Sequence, residues 1–600
     1  MLQPLKLGGV SGSIHIDFES KKSKRSTTPL KKEMTGYPSI DKPWLDFYPT
    51  EVQKAKLEES TLYNYIKDYN SDNLDRIAID YYGNRISYGN MLKEIDNVAS
   101  CLEKIGVKEG DIVTICMVNS PETVFLMFAL NKIGAVANMI NGGESKSEIK
   151  HYINDSKSEI VFCLDIFQNK ILEVIDELNV KKVIVAGLLQ SMSLLNRIGA
   201  RLVKKIRLET LPGDKRFIAW KEFAASSDGI SNTVYDADAP AFITYTGGTT
   251  GGSKGVVLDN KGVMAVAEQY ILAEKELYRD NIWMQVLPLF IAFGVTCSLM
   301  VPLRVGMTII TRIPMSDSIT DLCRKFKPNH IVYSPAFWEA FADEGANLDL
   351  SYLIAPISGG DTLNEKTEAK IDRYLEKCGS RYKLMNGYGM TEVGAGVSVN
   401  FKHIYEFGSV GAPMLKNIIA AFDPETGKEL KYGEIGEICI HTPSMMRGYL
   451  NNEEETKNII RKHDDNLLWV HSGDLGFISE RGFVHISGRI KRYTLSFYNG
   501  IAKKIFSIDI EKELLKHPSV AKCAVVPKED ELRNQVPVAF IVRSDFKEEE
   551  TILKESLKGY AEENLELLYR PIDYIFVDSY PLTKIGKVDY KTMEEMVNSK

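Results

Sequence analysis

Folded patterning of apolar and polar positions begins near Tyr37-Pro38-Ser39-Ile40. Arg76–Tyr88 has β-rich flanks about Gly83-Asn84, which predicts a hairpin. Ser87 then stands as the N-cap of a helix with Met91, Ile95, Val98, Leu102 and Ile105 on one face. From Asp111 the pattern becomes strand, helix, strand. Ile112–Val118 reads as a buried strand, Pro121–Ile133 as a helix opened by proline, and Ala135–Ile140 as a strand. A helix over Lys146–Asn154 and a strand over Ile160–Leu164 follow. Alternation at this spacing indicates α/β architecture with much parallel sheet. It continues through a strand Phe242–Tyr245, helices at 261–275 and Ser316–Phe326, and strands His330–Tyr333 and Leu353–Ser358. After about residue 405 short strands and turns such as Gly433-Glu434-Ile435-Gly436 predict a β-rich subdomain, and beyond Lys491 come small αβ units.

Two stretches break the rhythm. Trp283–Leu303 is long enough to span a bilayer by count, yet Pro288, Gly294 and Pro302 punctuate it, so buried strand and helix is the better reading. Gln190–Leu208 carries Leu195, Ile198, Leu202 and Ile206 on one helical face, with Arg197, Arg201, Lys204, Lys205 and Arg207 mostly elsewhere. Such a helix can lie on an anionic membrane surface, giving a weak contact through 190–208. A solvated helix packed on its own domain is the favoured reading. Residues 1–35, with a basic cluster at Lys21, Lys22, Lys24 and Arg25, read as a disordered extension without the apolar core of a signal peptide.

Composition narrows the class. The chain is 44% hydrophobic and 26% charged with net charge −7, which argues against a nucleic-acid partner. Its eight cysteines form no CxxC pair or metal spacing, and read as reduced thiols of a cytoplasmic protein.

The chemistry gathers in short polar clusters after the strands, where open α/β sheets bind ligands. Tyr245–Val256 reads Tyr-Thr-Gly-Gly-Thr-Thr-Gly-Gly-Ser-Lys-Gly-Val. Glycines let the backbone turn its N–H groups to one point, hydroxyls add donors and Lys254 adds charge, which suits an oligophosphate. It is not a P-loop, because Lys254 follows Ser253 and precedes Gly255. Asn386-Gly387-Tyr388-Gly389-Met390-Thr391-Glu392 offers a ring to stack on a purine, a hydroxyl for phosphate and a carboxylate for Mg²⁺. Asp474 lies in a Gly-rich turn suited to ribose hydroxyls, Arg489 follows shortly after, and Lys587 sits on a Gly-containing loop near the C-terminus.

Together and in this order, over roughly residues 40–590, these clusters resemble the adenylate-forming superfamily of acyl-CoA synthetases, peptide-synthetase adenylation domains and firefly luciferase, with the look of an acyl-CoA synthetase. The resemblance implies a large N-terminal α/β domain over 36–490, with parallel-rich sheets and a β-rich subdomain. A small mobile α+β C-terminal domain would cover 491–600, with the active site between the two. It implies that ATP and a carboxylic acid, fatty or aromatic, give acyl-AMP and pyrophosphate, after which the acyl group passes to coenzyme A. Alternatives are a stand-alone ligase loading an acyl carrier protein, and a non-catalytic nucleotide-binding homologue.

By the same resemblance, Thr246, Gly247, Gly248, Thr249, Thr250, Gly251 and Lys254 cover the β- and γ-phosphates. Gly359, Gly360 and Asp361 form the strip beside adenine, with Asn386 and the Tyr388 ring. Thr391 contacts the α-phosphate and Glu392 the metal. Asp474 and Arg489 hold ribose, Lys491 is the hinge, and Lys587 inserts during adenylation.

Three departures stand out. Gly247 and Ser253 replace the usual loop residues. Ile291 stands where acyl-CoA synthetases carry histidine and amino-acid-activating relatives pair an ammonium nearby, so an α-amino acid is disfavoured. The stretch after the hinge is some four residues longer than usual, and Arg492 replaces an acidic residue.

Overall fold

The computed structural model describes residues 34–203, 210–225, 227, 229, 231–246, 252–313, 318–498, 501–544, 549–583 and 587–599. The extension over 1–33 and the loop residues Gly247, Gly248, Thr249, Thr250 and Gly251 lie outside them.

The predicted hairpin forms from Ile77–Tyr81 and Asn84–Ser87, and Ser87 Oγ accepts from Asn90 N at 3.2 Å to start the helix Tyr88–Lys104. Met91, Ile95, Val98 and Leu102 are buried on that helix, whereas Ile105 serves as its C-cap. An eight-stranded sheet has a parallel centre of Pro240–Thr246, Val136–Met139, Ile112–Cys116, Ile160–Leu164, Lys182–Ala186 and Phe217–Ala219. A nine-stranded sheet orders Ile77–Tyr81, Thr308–Thr311, Ile282–Gln285, His330–Tyr333, Ala355–Ser358 and Met385–Met390 in parallel. One apolar cluster, with Phe128, Leu258, Val263 and Ile309 in it, joins the two sheets. Strands buried on both faces need continuous apolar runs, which is why these segments read so plainly.

The β-rich part is a five-stranded sheet containing Ile418–Phe422, Gly436–His441 and the long strand Leu468–Ile478, to which Val484–Arg489 pairs. A fourth sheet, from Tyr493–Tyr498 to Asp573–Phe576, has its own core about Ile505, Ile510, Leu514 and Ile541. The chain is therefore mixed α/β with parallel-rich sheets and a C-terminal domain.

Trp283–Leu303 resolves into the strand Ile282–Gln285 and a helical run from Ala292 to Val305 that widens into a π-turn over Thr296–Met300. Pro302 has no N–H to give the preceding turn, which accounts for the irregularity at that point. Among the described residues no helix is long and apolar enough to cross a membrane.

The stretch 190–208 corrects an expectation. Its described helix, Leu194–Val203, leaves Leu194, Leu195 and Ile198 at 69%, 83% and 47% exposure rather than packed on the domain. Asn196 Nδ2 donates to Tyr82 O at 2.6 Å and Arg197 to Met192 O at 3.2 Å, so the polar side is anchored and the leucines turn outward.

Candidate active site

The β-rich sheet and the nine-stranded sheet meet at one carboxylate. In the pairing of Leu468–Ile478 with Val484–Arg489, Asp474 lies opposite Arg489, and directly opposed residues share a face. Arg489 Nε donates to Asp474 Oδ1 at 2.7 Å, and Tyr388 Oη donates to Oδ2 at 2.6 Å from the end of Met385–Met390. Burial pushes the Asp474 carboxyl up, while Arg489 and the Tyr388 hydroxyl pull it back. Each oxygen keeps a further lone pair for an incoming hydroxyl. Burial and the Asp474 charge push the Tyr388 phenol far above its ordinary range, so it remains a donor. Asn386, one turn of the pleat earlier, is buried and donates to Ser409 O at 3.4 Å.

Beside this wall, Ala355–Ser358 runs into Gly359-Gly360-Asp361. Gly360 has φ +89°, and a Cβ at Gly359 would lie 3.3 Å from Gly387 O and from Phe293 Cζ, so bare backbone faces the cleft. Asp361 accepts from Thr362 N at 2.7 Å and, through its other oxygen, from Val588 N at 3.2 Å. That second bond seats the C-terminal segment and brings in its neighbour Lys587, whose carbonyl accepts from Thr583 N at 2.7 Å and whose own N–H donates to Thr583 Oγ1 at 3.1 Å. Lys587 stays open to solvent within the cleft. The surrounding protein lowers its pKa, Arg489 lowers it further, and Asp361, Glu392 and Asp474 oppose the fall. Four of the expected residues thus act on one ammonium.

Thr391 and Glu392 occupy a short 3-10 turn closed by Gly394 at φ +76°, and Thr296 Oγ1 fixes that turn by donating to Gly394 O at 2.7 Å. Glu392 is buried and its Oε1 accepts from Tyr449 Oη at 2.8 Å. Pro240–Thr246 and Lys254–Asp259 pair antiparallel, with Thr246 opposite Lys254. Lys254 Nζ lies 5.0 Å over the Tyr449 ring and forms an ion pair with Glu455. That lysine holds the Glu455 carboxyl below its usual range. The Ser253 hydroxyl, new relative to the resembled pattern, contacts Tyr152 Oη at 3.2 Å and Glu148 Oε2 at 3.3 Å.

Lys491 is exposed between two fixed neighbours. Ile490 N donates to Gly473 O at 2.8 Å on one side. On the other, Arg492 pairs with the buried Glu511 and stacks 3.7 Å from the centre of the Tyr590 ring. Between the sheets, Lys522 pairs with Glu339 at 2.6 Å and Lys366 donates to Val520 O at 3.0 Å. The cleft, about 3060 Å³, is lined by all these groups.

One cluster has no signature in the linear sequence. Glu437, Cys439 and His471 bring ligand atoms within 4.8 Å of one another. Glu437 and Cys439 share a strand face, and His471 opposes Cys439 in the ladder. His471 Nδ1 lies 2.8 Å from Glu437 Oε2, and Glu437 Oε1 accepts from Gly473 N at 3.1 Å. These groups satisfy one another and brace the Gly473 turn beneath Asp474. Each comes from a different position in the ladder, so only the register unites them.

The architecture and the cleft define a nucleotide-handling α/β enzyme, and solved structures share the fold. An ATP-bound chimera of RpMatB and BxBclM aligns with TM-score 0.77 and 26% identity over 90% of this chain and 99% of that one. The anthranilate CoA ligase AuaEII in complex with anthranoyl-AMP aligns with TM-score 0.75 at 20% identity over 91% of this chain and 98% of its own, a likeness of fold. Among curated proteins, the 4-coumarate–CoA ligase CCL1 of Humulus lupulus is 29% identical over 518 residues, 84% of this chain and 88% of that protein. The chain belongs to the AMP-binding enzymes: that family's profile matches residues 67–450, and the profile of the AMP-binding enzyme C-terminal domain matches 509–587.

Proposed function

We propose that this protein is an ATP-dependent ligase that activates an aromatic or fatty carboxylic acid as acyl-AMP, with release of pyrophosphate, and transfers the acyl group to coenzyme A. The observation that carries the reading is that Asp361, Glu392, Asp474, Arg489 and Lys587 line one cleft, with Val588 N donating to Asp361 at 3.2 Å to seat the loop that bears the lysine. A carboxylate attacking an anionic α-phosphate meets repulsion, and charge spreads over the equatorial oxygens as the bond forms. A lysine placed between the two anions stabilises that arrangement more than the separated reactants. Lysine suits the task as a compact charge on a long stem.

In this reading Tyr388 stacks on adenine beside Gly359, Gly360, Asp361 and Asn386, and Asp474 with Arg489 receives the ribose hydroxyls. Thr391 donates to the α-phosphate. Lys254 exchanges Glu455 for the outer phosphates, and the loop over Gly247–Gly251 covers them. Magnesium fits Glu392, a carboxylate already oriented by Tyr449 at a place where phosphate oxygens would supply the other ligands. When bound, the ion neutralises phosphate charge. Residues 36–490 and 491–600 form the two domains, with Lys491 as their hinge and the C-terminal part mobile.

The named relatives act on aromatic acids, which favours an aromatic acid over a fatty one; a role in fatty acid metabolism would follow from the latter. A carrier-protein thiol is the alternative acceptor, since its pantetheine arm is that of coenzyme A. The all-free cysteine set supports a cytoplasmic location. The exposed leucines of Leu194–Val203, with basic residues about them, support a weak membrane-surface contact through 190–208.

The test is carboxylate-dependent ATP–pyrophosphate exchange over aromatic acids and short to long fatty acids, followed by thioester formation with coenzyme A and with a purified carrier. No exchange with any acid would overturn the ligase reading in favour of a non-catalytic homologue. Liposome binding unchanged by reversing the charge of Arg201 and Lys204 would remove the membrane contact.

A further inference from the structure

The pocket that would take the acid contains a polar group the catalytic reading does not use. Tyr270, on the helix Asn260–Ala273, is 7% exposed, and its Oη is buried without a hydrogen-bond partner among the described residues. A buried hydroxyl left unpaired costs roughly 1–3 kcal/mol, so such groups generally have a partner, often a ligand or water. The ring is fixed: it packs at 6.1 Å and 75° against Trp283 and at 5.6 Å against Phe401. Tyr270 and Trp283 both line the cleft, together with Phe293, Cys297, Val332 and Met414.

Its depth follows from the helix. Val266 Cγ2 lies 3.3 Å from where a Cβ of Gly394 would stand, at the level of the Thr391–Glu392 turn. Tyr270 is four residues further along, one helical turn or about 6 Å. Along the facing helical run, Phe293 lies beside Gly359 and Gly360, and Cys297 is likewise four residues further in. The half-buried Cys297 thiol, pushed up to about 11 by burial, is neutral and a weak donor at best. The cleft residues Trp283, Phe293, Val332 and Met414 are apolar.

Resting on the ligase reading, we propose that Tyr270 is a specificity-determining residue, and that the acid is one whose far end carries an oxygen acceptor, a ring hydroxyl or ether, received by Tyr270 Oη. Sites built to bond a substrate oxygen discriminate strongly against the analogue that lacks it, because the site's own group is then left unpaired.

The experiment compares kcat/KM for exchange with matched acids, benzoic and cinnamic acids with and without a para hydroxyl, and a medium-chain fatty acid with and without a terminal hydroxyl. The proteins are the full-length enzyme and Tyr270→Phe. Wild type is expected to favour the hydroxylated aromatic acid at least tenfold. Tyr270→Phe is expected to bring that ratio near one, chiefly by losing the hydroxylated acid, while exchange with the plain acid shows that the variant is folded. An unchanged ratio in Tyr270→Phe, or a wild-type preference for the plain acids, overturns the assignment and leaves the ligase reading standing. Exchange with no acid at all defeats both.

Discussion

The two faces of the cleft are built on opposite principles. On the proposed nucleotide side the carboxylates arrive already paired: Tyr388 and Arg489 hold both oxygens of Asp474, Tyr449 holds Glu392, and Asp361 is held by Thr362 and Val588. On the proposed acid side Tyr270 Oη, among apolar neighbours such as Trp283 and Phe401, has no hydrogen-bond partner among the described residues. A site that must bind one invariant molecule benefits from side chains held in place beforehand, since no ordering remains to be done on binding. A site whose ligand differs between relatives leaves its polar groups for the ligand to satisfy. The first arrangement names the cosubstrate, and the second selects the acid.

The contrast can be broken most severely at Lys587. Lys587→Ala is expected to lower exchange by at least about 100-fold while thiolysis of synthetic acyl-AMP survives. Equal loss of both half-reactions would show that the lysine serves the fold or both steps. Next comes Asp474→Ala, which leaves the Arg489 charge and Tyr388 hydroxyl without their acceptor. KM for ATP should rise roughly 10- to 100-fold, with KM for the acid little changed. A rise confined to the acid would place the nucleotide elsewhere.

A stability effect sharpens the comparison from the C-terminal side of the cleft. Arg492 and Glu511 form a largely buried ion pair in which Glu511 also accepts from Val525 N at 2.7 Å. Arg492→Ala leaves that carboxylate uncompensated and should cost about 3 kcal/mol in denaturant unfolding. A loss below about 1 kcal/mol would mean that water replaces the guanidinium.

Protonation gives a smaller, graded effect. Lys587 loses its proton at a pH below the ordinary lysine value, and in the role proposed for it the cation is what adenylation needs. The rate should hold at neutral pH and fall on the alkaline side before 10.5 is reached. Lys587→Arg should move that fall to higher pH at a reduced rate. An alkaline limb that stays put in this variant would assign the titration to another group. The smallest change is Glu455→Gln. Freed from its ion pair, Lys254 should lower KM for ATP about two- to fivefold, as steady-state kinetics would reveal.

Much of the nucleotide side was legible in the linear sequence, and the reason is geometric. Gly359-Gly360-Asp361 and Tyr388–Glu392 are contiguous runs at strand ends, where glycine and the polar residues must be neighbours to turn the chain and face the ligand. Strand boundaries were legible for a similar reason: Ile160–Leu164 and His330–Tyr333 match the apolar runs residue for residue. The acid side is assembled from single residues on separate helices and strands. Tyr270 looks like any aromatic in an apolar helix, and only the fold shows its hydroxyl to be unpartnered. Glu437 and His471 needed strand register to meet. The outward face of Leu194–Val203 was misjudged because amphipathicity shows that a helix has an apolar side, without showing whether the domain covers it.

Lys491 has a mechanical consequence. Its predecessor is fastened to Gly473 and its successor is clamped between Glu511 and the Tyr590 ring, so the freedom to turn is concentrated in the two dihedrals of one residue. If Lys491 is the hinge proposed above, a joint this narrow with rigid arms is a crank. A modest twist would carry Lys587 out of the cleft and sever the Val588–Asp361, Lys522–Glu339 and Lys366–Val520 contacts in one stroke. Stiffening that single residue, as with Lys491→Pro, would lock the crank in one setting and separate the enzyme's two half-reactions without touching a catalytic group.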